Sequence, residues 1–154
     1  MKVLIAKERS PGETRVAATP ETVKKMVHEG LEVLVEAGAG DASFFPDEQY
    51  AAAGATLVAD SEGAWAEADL VLAVRAPEPE RAARLKAGAL LIGLLAPHQN
   101  LDTVRALADR RVSSLAMELV PRISRAQSMD ALSSQANIAG YKAVLLAAYR
   151  LPRY

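Results

Sequence analysis

At 154 residues and a net charge of −1, the chain has the length of one domain with its own core; such a domain buries roughly 68–70% of the surface its unfolded form exposes. Hydrophobic residues make up 51% and charged residues 24%, an ordinary globular balance, and aromatics at 5% leave the core to Val, Leu, Ile and Ala. No basic tract or interleaved aromatic ladder appears, which excludes a nucleic-acid footprint, and the lack of cysteine excludes disulfides and thiolate metal sites. The apolar opening Met1–Ala6 turns charged at Lys7, too soon for a signal peptide. No later run approaches the roughly 18 apolar residues that span a bilayer. The expectation is a cytoplasmic protein without direct membrane insertion.

Short apolar runs alternate with helical periodicity. Lys2–Ala6 reads as the first strand. Thr19 then caps a helix with Pro20 in its first position and Glu21 at the positive end of the dipole; Val23, Met26 and Val27 form its stripe and Gly30 stops it. Glu32–Glu36 is the second strand. Gly38-Ala39-Gly40 after it resembles the start of a dinucleotide fingerprint, but Ser43 stands at the third glycine and Phe44-Phe45-Pro46 follows, so it reads as a turn. Helices at Asp47–Ala53 and Ser61–Ala66 flank a strand at Ala55–Val58. Leu70–Val74 is the fourth strand, and Pro79 opens a helix running to about Lys86. Ala89–Leu95 is the fifth strand; Asn100 caps a helix carrying Leu101, Val104, Leu107 and Ala108; Ser114–Glu118 is the sixth strand. From about Met129 to Tyr149 the spacing of Leu132, Ala136, Ala139, Ala143 and Leu146 predicts one long helix, ended by Pro152. Gly140 inside it costs about 1 kcal/mol relative to Ala, which predicts close packing against another backbone.

Strands alternating with helices predict an α/β lobe with a mostly parallel sheet flanked by helices. The division expected is residues 1–128 as that lobe and 129–154 as the long helix. Ligands of such sheets bind at the carboxyl ends of the strands. The loops expected there carry Lys7, Arg9, Arg15, Arg75, Arg122 and Arg125 and few carboxylates, which suits an anionic ligand. Solvated loop arginines are the plainer account of any one of them.

Met117–Asp130 joins a strand to the long helix through donor-rich residues. Gln127 matches a carboxamide or a ribose hydroxyl, and Asp130 is placed to pair with Arg122. Ser128 and Asp130 also stand where helix caps stand, and the residues alone leave a ligand clasp and a plain capped helix equally open. With no complete glycine fingerprint in the chain, any nucleotide is expected to be gripped mainly by another domain.

Met117–Asp130, extended through Ala131-Leu132-Ser133-Ser134-Gln135-Ala136-Asn137-Ile138-Ala139-Gly140-Tyr141, closely resembles the NAD(H)-binding α subunits of proton-translocating NAD(P) transhydrogenases. Lys7-Glu8-Arg9, Pro11-Gly12-Glu13, Arg15-Val16-Ala17, Thr19-Pro20, Val35–Gly40 and Ala52–Ala55 are similar too, in order along the whole chain. Alanine dehydrogenases share the architecture and look alike at the N-terminus. The resemblance implies a Rossmann- or flavodoxin-like first lobe of a two-lobed dehydrogenase, with the long helix leading to a second, NAD-binding lobe. It implies Arg122, Gln127 and Asp130 as catalytic contacts of a mobile loop at the nicotinamide. Cofactor contacts would be Arg122, Gln127, Ser128, Met129, Asp130 and Ser133. It further implies NAD(H) on this subunit, NADP(H) on a partner subunit, membrane and NADP-binding partner subunits and a homodimer, peripheral to the cytoplasmic membrane.

Where alanine dehydrogenases have a catalytic histidine, this chain has Ala96, with His98 two residues on. Arg15 matches one of their substrate anchors, and Arg75 stands where they have lysine. Direct hydride transfer between nicotinamides needs alignment rather than acid–base groups, so the missing histidine favours the transhydrogenase reading. Two alternatives stand beside it: an amino-acid dehydrogenase lobe in which His98 fills the role, and a non-catalytic lobe that binds a partner.

Overall fold

The computed structural model describes residues 1–152; the predicted end of the linking segment at 153–154 lies outside the described residues. The chain divides into two compact units, Met1–Ala116 and the segment from Met117 onward.

The first unit is a six-stranded parallel sheet. Its strands are β1 (Lys2–Ile5), β2 (Glu32–Glu36), β3 (Thr56–Val58), β4 (Leu70–Arg75), β5 (Leu90–Leu94) and β6 (Ser113–Ala116), in the order β3-β2-β1-β4-β5-β6. Every pairing is parallel, with Val3 opposite Val33 and Leu70 and Leu4 opposite Leu34 and Val71. Helices α1 (Pro20–His28), α2 (Asp47–Ala52), α3 (Ser61–Glu67), α4 (Pro79–Ala82) and α5 (Leu101–Asp109) connect the strands.

Alternate residues of β1 point to opposite faces, and both faces are covered, which is why its sequence is apolar without a break. Val3 and Ile5 pack with Val33, Val35, Val23 of α1 and Tyr50 of α2. Leu4 packs with Leu34, Val71 and Leu91, Trp65 of α3, Leu85, and Leu107 of α5. Tyr50 is fully buried, and its hydroxyl donates to the Ala18 carbonyl at 2.9 Å, so the core's second aromatic is polar-satisfied.

The punctuation of α1 is as expected: Thr19 Oγ1 accepts from the Thr22 N–H, and Gly30 follows at φ +82°. The Gly38-Ala39-Gly40 segment is a turn. Gly38 N–H donates to Asp47 at 2.8 Å, and a Cβ on Gly40 would meet the Phe45 carbonyl oxygen at 2.4 Å. Two expectations are corrected. The Pro79 helix ends at Ala82, not near Lys86: i→i+3 bonds from Arg84 to Arg81 and from Leu85 to Ala82 tighten the chain so that Leu85 reaches the core. Asn100 stands at the N-cap of α5, but its side chain makes no cap bond; its amide donates to the carbonyls of Leu95 and Ala96.

In the second unit, 3₁₀ turns at Met117–Leu119 and Ser124–Met129 lead into α6 (Ala131–Arg150), a helix of 20 residues or about 30 Å. The backbone contact expected at Gly140 is not made among the described residues: apart from its own helix, nothing lies within 4 Å of the place a Cβ would occupy. Apolar residues stand on every side of α6, and many are exposed, among them Ile138 at 62%, Tyr141 at 69% and Val144 at 68%. No helix among the described residues is long and apolar enough to cross a membrane.

Candidate functional site

Strand order reverses between β1 and β4, the place where doubly wound sheets open a ligand crevice. Here the chain fills that crevice itself. Glu8, just past β1, accepts from the N–H of Val74 at 2.6 Å and of Arg75 at 3.2 Å. An anionic ligand would need those same donors. The cavity remaining beside them is about 10 Å³, room for one water at most. Burial pushes the Glu8 carboxyl above its ordinary value, against the two N–H groups that favour its charge.

The expectation of a rim poor in carboxylates is corrected at the same edge. Glu13, its side chain 4% exposed, accepts from Arg15 at 2.7 Å and from Arg75 Nε at 2.9 Å. Arg15 above all, with Arg75 behind it, holds the Glu13 carboxyl down to about 2 against burial. A carboxyl depressed in the folded state stabilises it fully above the unfolded value of about 4.3, and that stability is lost as pH falls toward the folded value. The urea midpoint of the chain is therefore expected to drop between about pH 5 and pH 2, and to drop less in Glu13→Gln. Identical pH profiles for the two proteins would remove Glu13 from the account.

Behind this edge lies a buried cluster that sequence reasoning did not find. Glu36, the last residue of β2, is 3% exposed and accepts from Arg81 at 2.5 and 2.6 Å, from Trp65 Nε1 at 3.1 Å, from the Lys7 N–H and from the Ser61 hydroxyl. The Arg81 guanidinium lies 4.4 Å from the centre of the Trp65 ring and also donates to the Lys7 carbonyl. Burial pushes the Glu36 carboxyl up, but Arg81, Ser61 and Lys7 outweigh it and hold it below the usual carboxylate range. The one signal available was a glutamate ending the run Val33-Leu34-Val35, where a buried charge must have a partner.

The second unit holds a cavity of about 580 Å³, within the range of small-ligand sites. The chain is extended at Ile123 before the 3₁₀ turn of Ser124–Met129, and Arg122 and Gln127 both line the cavity. Asp130 and Ser133 line the cavity from the start of α6. Four of the six positions singled out in the sequence are thus brought together. Ser128 and Met129 lie in the same turn, exposed, and do not line it. Ser124, Ser134 and Asn137 do, and had not been singled out.

Asp130 is the N-cap of α6. Its carboxylate accepts from the Ser133 N–H at 2.9 Å and the Ser133 hydroxyl at 2.6 Å, and its carbonyl accepts from the Ser134 hydroxyl at 3.2 Å. The two Ser133 bonds, with the Arg122 charge adding a smaller share, hold its carboxyl below the ordinary value. The expected Arg122–Asp130 ion pair is not formed: the carboxylate is spent on the cap, and Arg122 acts on it from a distance. The capped helix is formed, and its cap residue also lines the cavity. The cap fixes a carboxylate in the lining of a cavity that also carries a guanidinium and an amide.

The model of the alanine dehydrogenase/PNT N-terminal domain matches residues 4–139. The chain belongs to that family. It is 48% identical over 158 aligned residues to an NAD(P) transhydrogenase subunit alpha polypeptide of Rhodospirillum rubrum, covering 99% of this chain and 41% of that protein. A crystal structure of transhydrogenase from Sinorhizobium meliloti superposes with a TM-score of 0.90 at 46% identity, covering 99% of this chain and 46% of that one. Alanine dehydrogenase of Mycobacterium tuberculosis is 37% identical, over 99% of this chain and 41% of its own length. The chain thus spans less than half the length of these members of the family.

Proposed function

We propose that this chain is the first lobe of the NAD(H)-binding α subunit of a proton-translocating NAD(P) transhydrogenase. The observation that carries the reading is the cavity of Arg122, Gln127, Asp130 and Ser133, set in a chain more similar to transhydrogenase (48%) than to alanine dehydrogenase (37%). Its size and its mix of amide, guanidinium and fixed carboxylate fit the nicotinamide end of NADH. At the sheet's switch point the N–H groups of Val74 and Arg75, which a pyrophosphate would use, are taken by Glu8. That grip belongs to a second lobe.

Bound NADH supplies a hydride, which leaves C4 of its reduced ring for C4 of an oxidised NADP ring on a partner subunit; no proton has to be exchanged in the transfer. The chain's role is alignment. Arg122, Gln127, Asp130 and Ser133 orient the ring and its substituent, and the cap bonds of Asp130 keep that carboxylate from swinging. Membrane and NADP-binding subunits, a homodimer and a place on the cytoplasmic face of the membrane complete the proposal. The apolar side chains exposed all round α6 support burial against further protein.

An amino-acid dehydrogenase must move protons, and the position of its histidine is Ala96, held at φ +40° by a turn whose carbonyl accepts from Gln99 and Asn100. His98 is exposed beside Gln99, 3.3 Å from its amide. The intact protein with its partner subunits is expected to pass hydride from NADH to an NADP+ analogue and to show no turnover with alanine and NAD+. The reverse result sinks the proposal in favour of the dehydrogenase reading.

A further inference from the structure

The cavity's two walls differ in how many of their hydrogen-bonding groups are already spent. On the α6 wall, both Asp130 carboxylate oxygens accept cap bonds, and the hydroxyl hydrogens of Ser133 and Ser134 are donated to Asp130. Asn137 stands one turn further along the same face, three residues beyond Ser134 and four beyond Ser133, and it lines the cavity with them. Neither its carbonyl nor its amide has a partner among the described residues, so of that wall's polar side chains it alone keeps both a donor and an acceptor in hand. Gln127, in the turn that precedes α6, is the other amide of the lining.

We infer that Asn137 is a specificity-determining contact for a primary carboxamide, its Oδ1 accepting the carboxamide N–H while the loop side chains supply donors to the carboxamide oxygen. This rests on the nicotinamide reading above and deepens it: the cavity reads the ring substituent from both walls, not from the loop alone. A carboxamide offers two N–H donors and one oxygen acceptor, and Asn137, whose carbonyl oxygen accepts from no other described residue, presents an uncharged acceptor that no helix cap has fixed in direction.

Calorimetry on the full-length protein separates the possibilities, with NADH and an NADH analogue whose carboxamide is a methyl ketone as the two ligands. The analogue keeps the carbonyl oxygen and lacks the N–H. Asn137→Ala is expected to weaken NADH about tenfold, the size of one net hydrogen bond, and to leave the analogue within about twofold. Asn137→Asp, which keeps the acceptor, is expected to retain most of the preference for NADH. Equal effects of Asn137→Ala on both ligands, or no effect on either, overturn the assignment while leaving the clasp intact. Failure of the unaltered protein to bind NADH would overturn the clasp itself. Because Asn137 is exposed and Ala has the higher helix propensity, the variant tests contact and not folding.

Discussion

Arg81→Ala is expected to lower the stability of the chain by about 3–5 kcal/mol, read as a fall in the urea midpoint, the largest effect of any single change outside the apolar core. The reason is what it leaves behind. Glu36 would remain 96–97% shielded from water with its principal counter-charge gone, because Trp65, Ser61 and the Lys7 N–H are neutral donors. The stacked contact of the guanidinium on Trp65 is lost too. Removing both charges is a different matter: Glu36→Gln with Arg81→Met is expected to recover most of the loss, since the desolvation cost disappears with the pair. A single variant within about 1 kcal/mol of the parent would show that water reaches the cluster and that the pair contributes little.

In the complete enzyme, Gln127→Ala is expected to slow hydride transfer by about 10- to 100-fold, the scale on which a displacement of about 1 Å at the reacting centre is felt. Gln127 lies on a short 3₁₀ turn whose main-chain bonds do not use its side chain, so the substitution removes a ligand contact without loosening the loop: the Asp130 N–H still meets the Gln127 carbonyl at 3.3 Å. The step should be measured in a single turnover, with NADH saturating, so that weakened binding is not counted as slowed transfer. An unchanged rate would remove this loop from the mechanism and leave Asp130 as a helix cap only.

The sheet was legible in the residues because its signals are local. Strand runs such as Val33-Leu34-Val35 and Leu70-Val71-Leu72 are apolar on both faces only if helices cover both, and Thr19-Pro20 with Gly30 bracket α1 by main-chain geometry alone. The signal weakens where neighbours in space override it. Pro79 opens a helix from local preference, but the demand that Leu85 enter the core closes it after one turn. Asn100 has the side chain of a cap, and the carbonyls of Leu95 and Ala96 claim it first.

At the candidate site the same boundary holds. Residue types in Met117–Asp130 drew attention to Arg122, Gln127 and Asp130, and Ser133 joined them only through the family resemblance; all four line one cavity. Asn137 escaped notice: it lies in a run that scans as ordinary helix, and its value appears only once the hydrogen bonds of Asp130, Ser133 and Ser134 are counted.

Local chemistry in the order of residues was sufficient for the strands and the helix starts, since each depends on groups within a few positions of one another. Charge partnership was not readable in that way. Glu36 finds Arg81 across 45 positions, Glu8 meets Val74 across 66 and Glu13 meets Arg75 across 62. Those pairings exist because folding brings strand ends together that the chain keeps far apart.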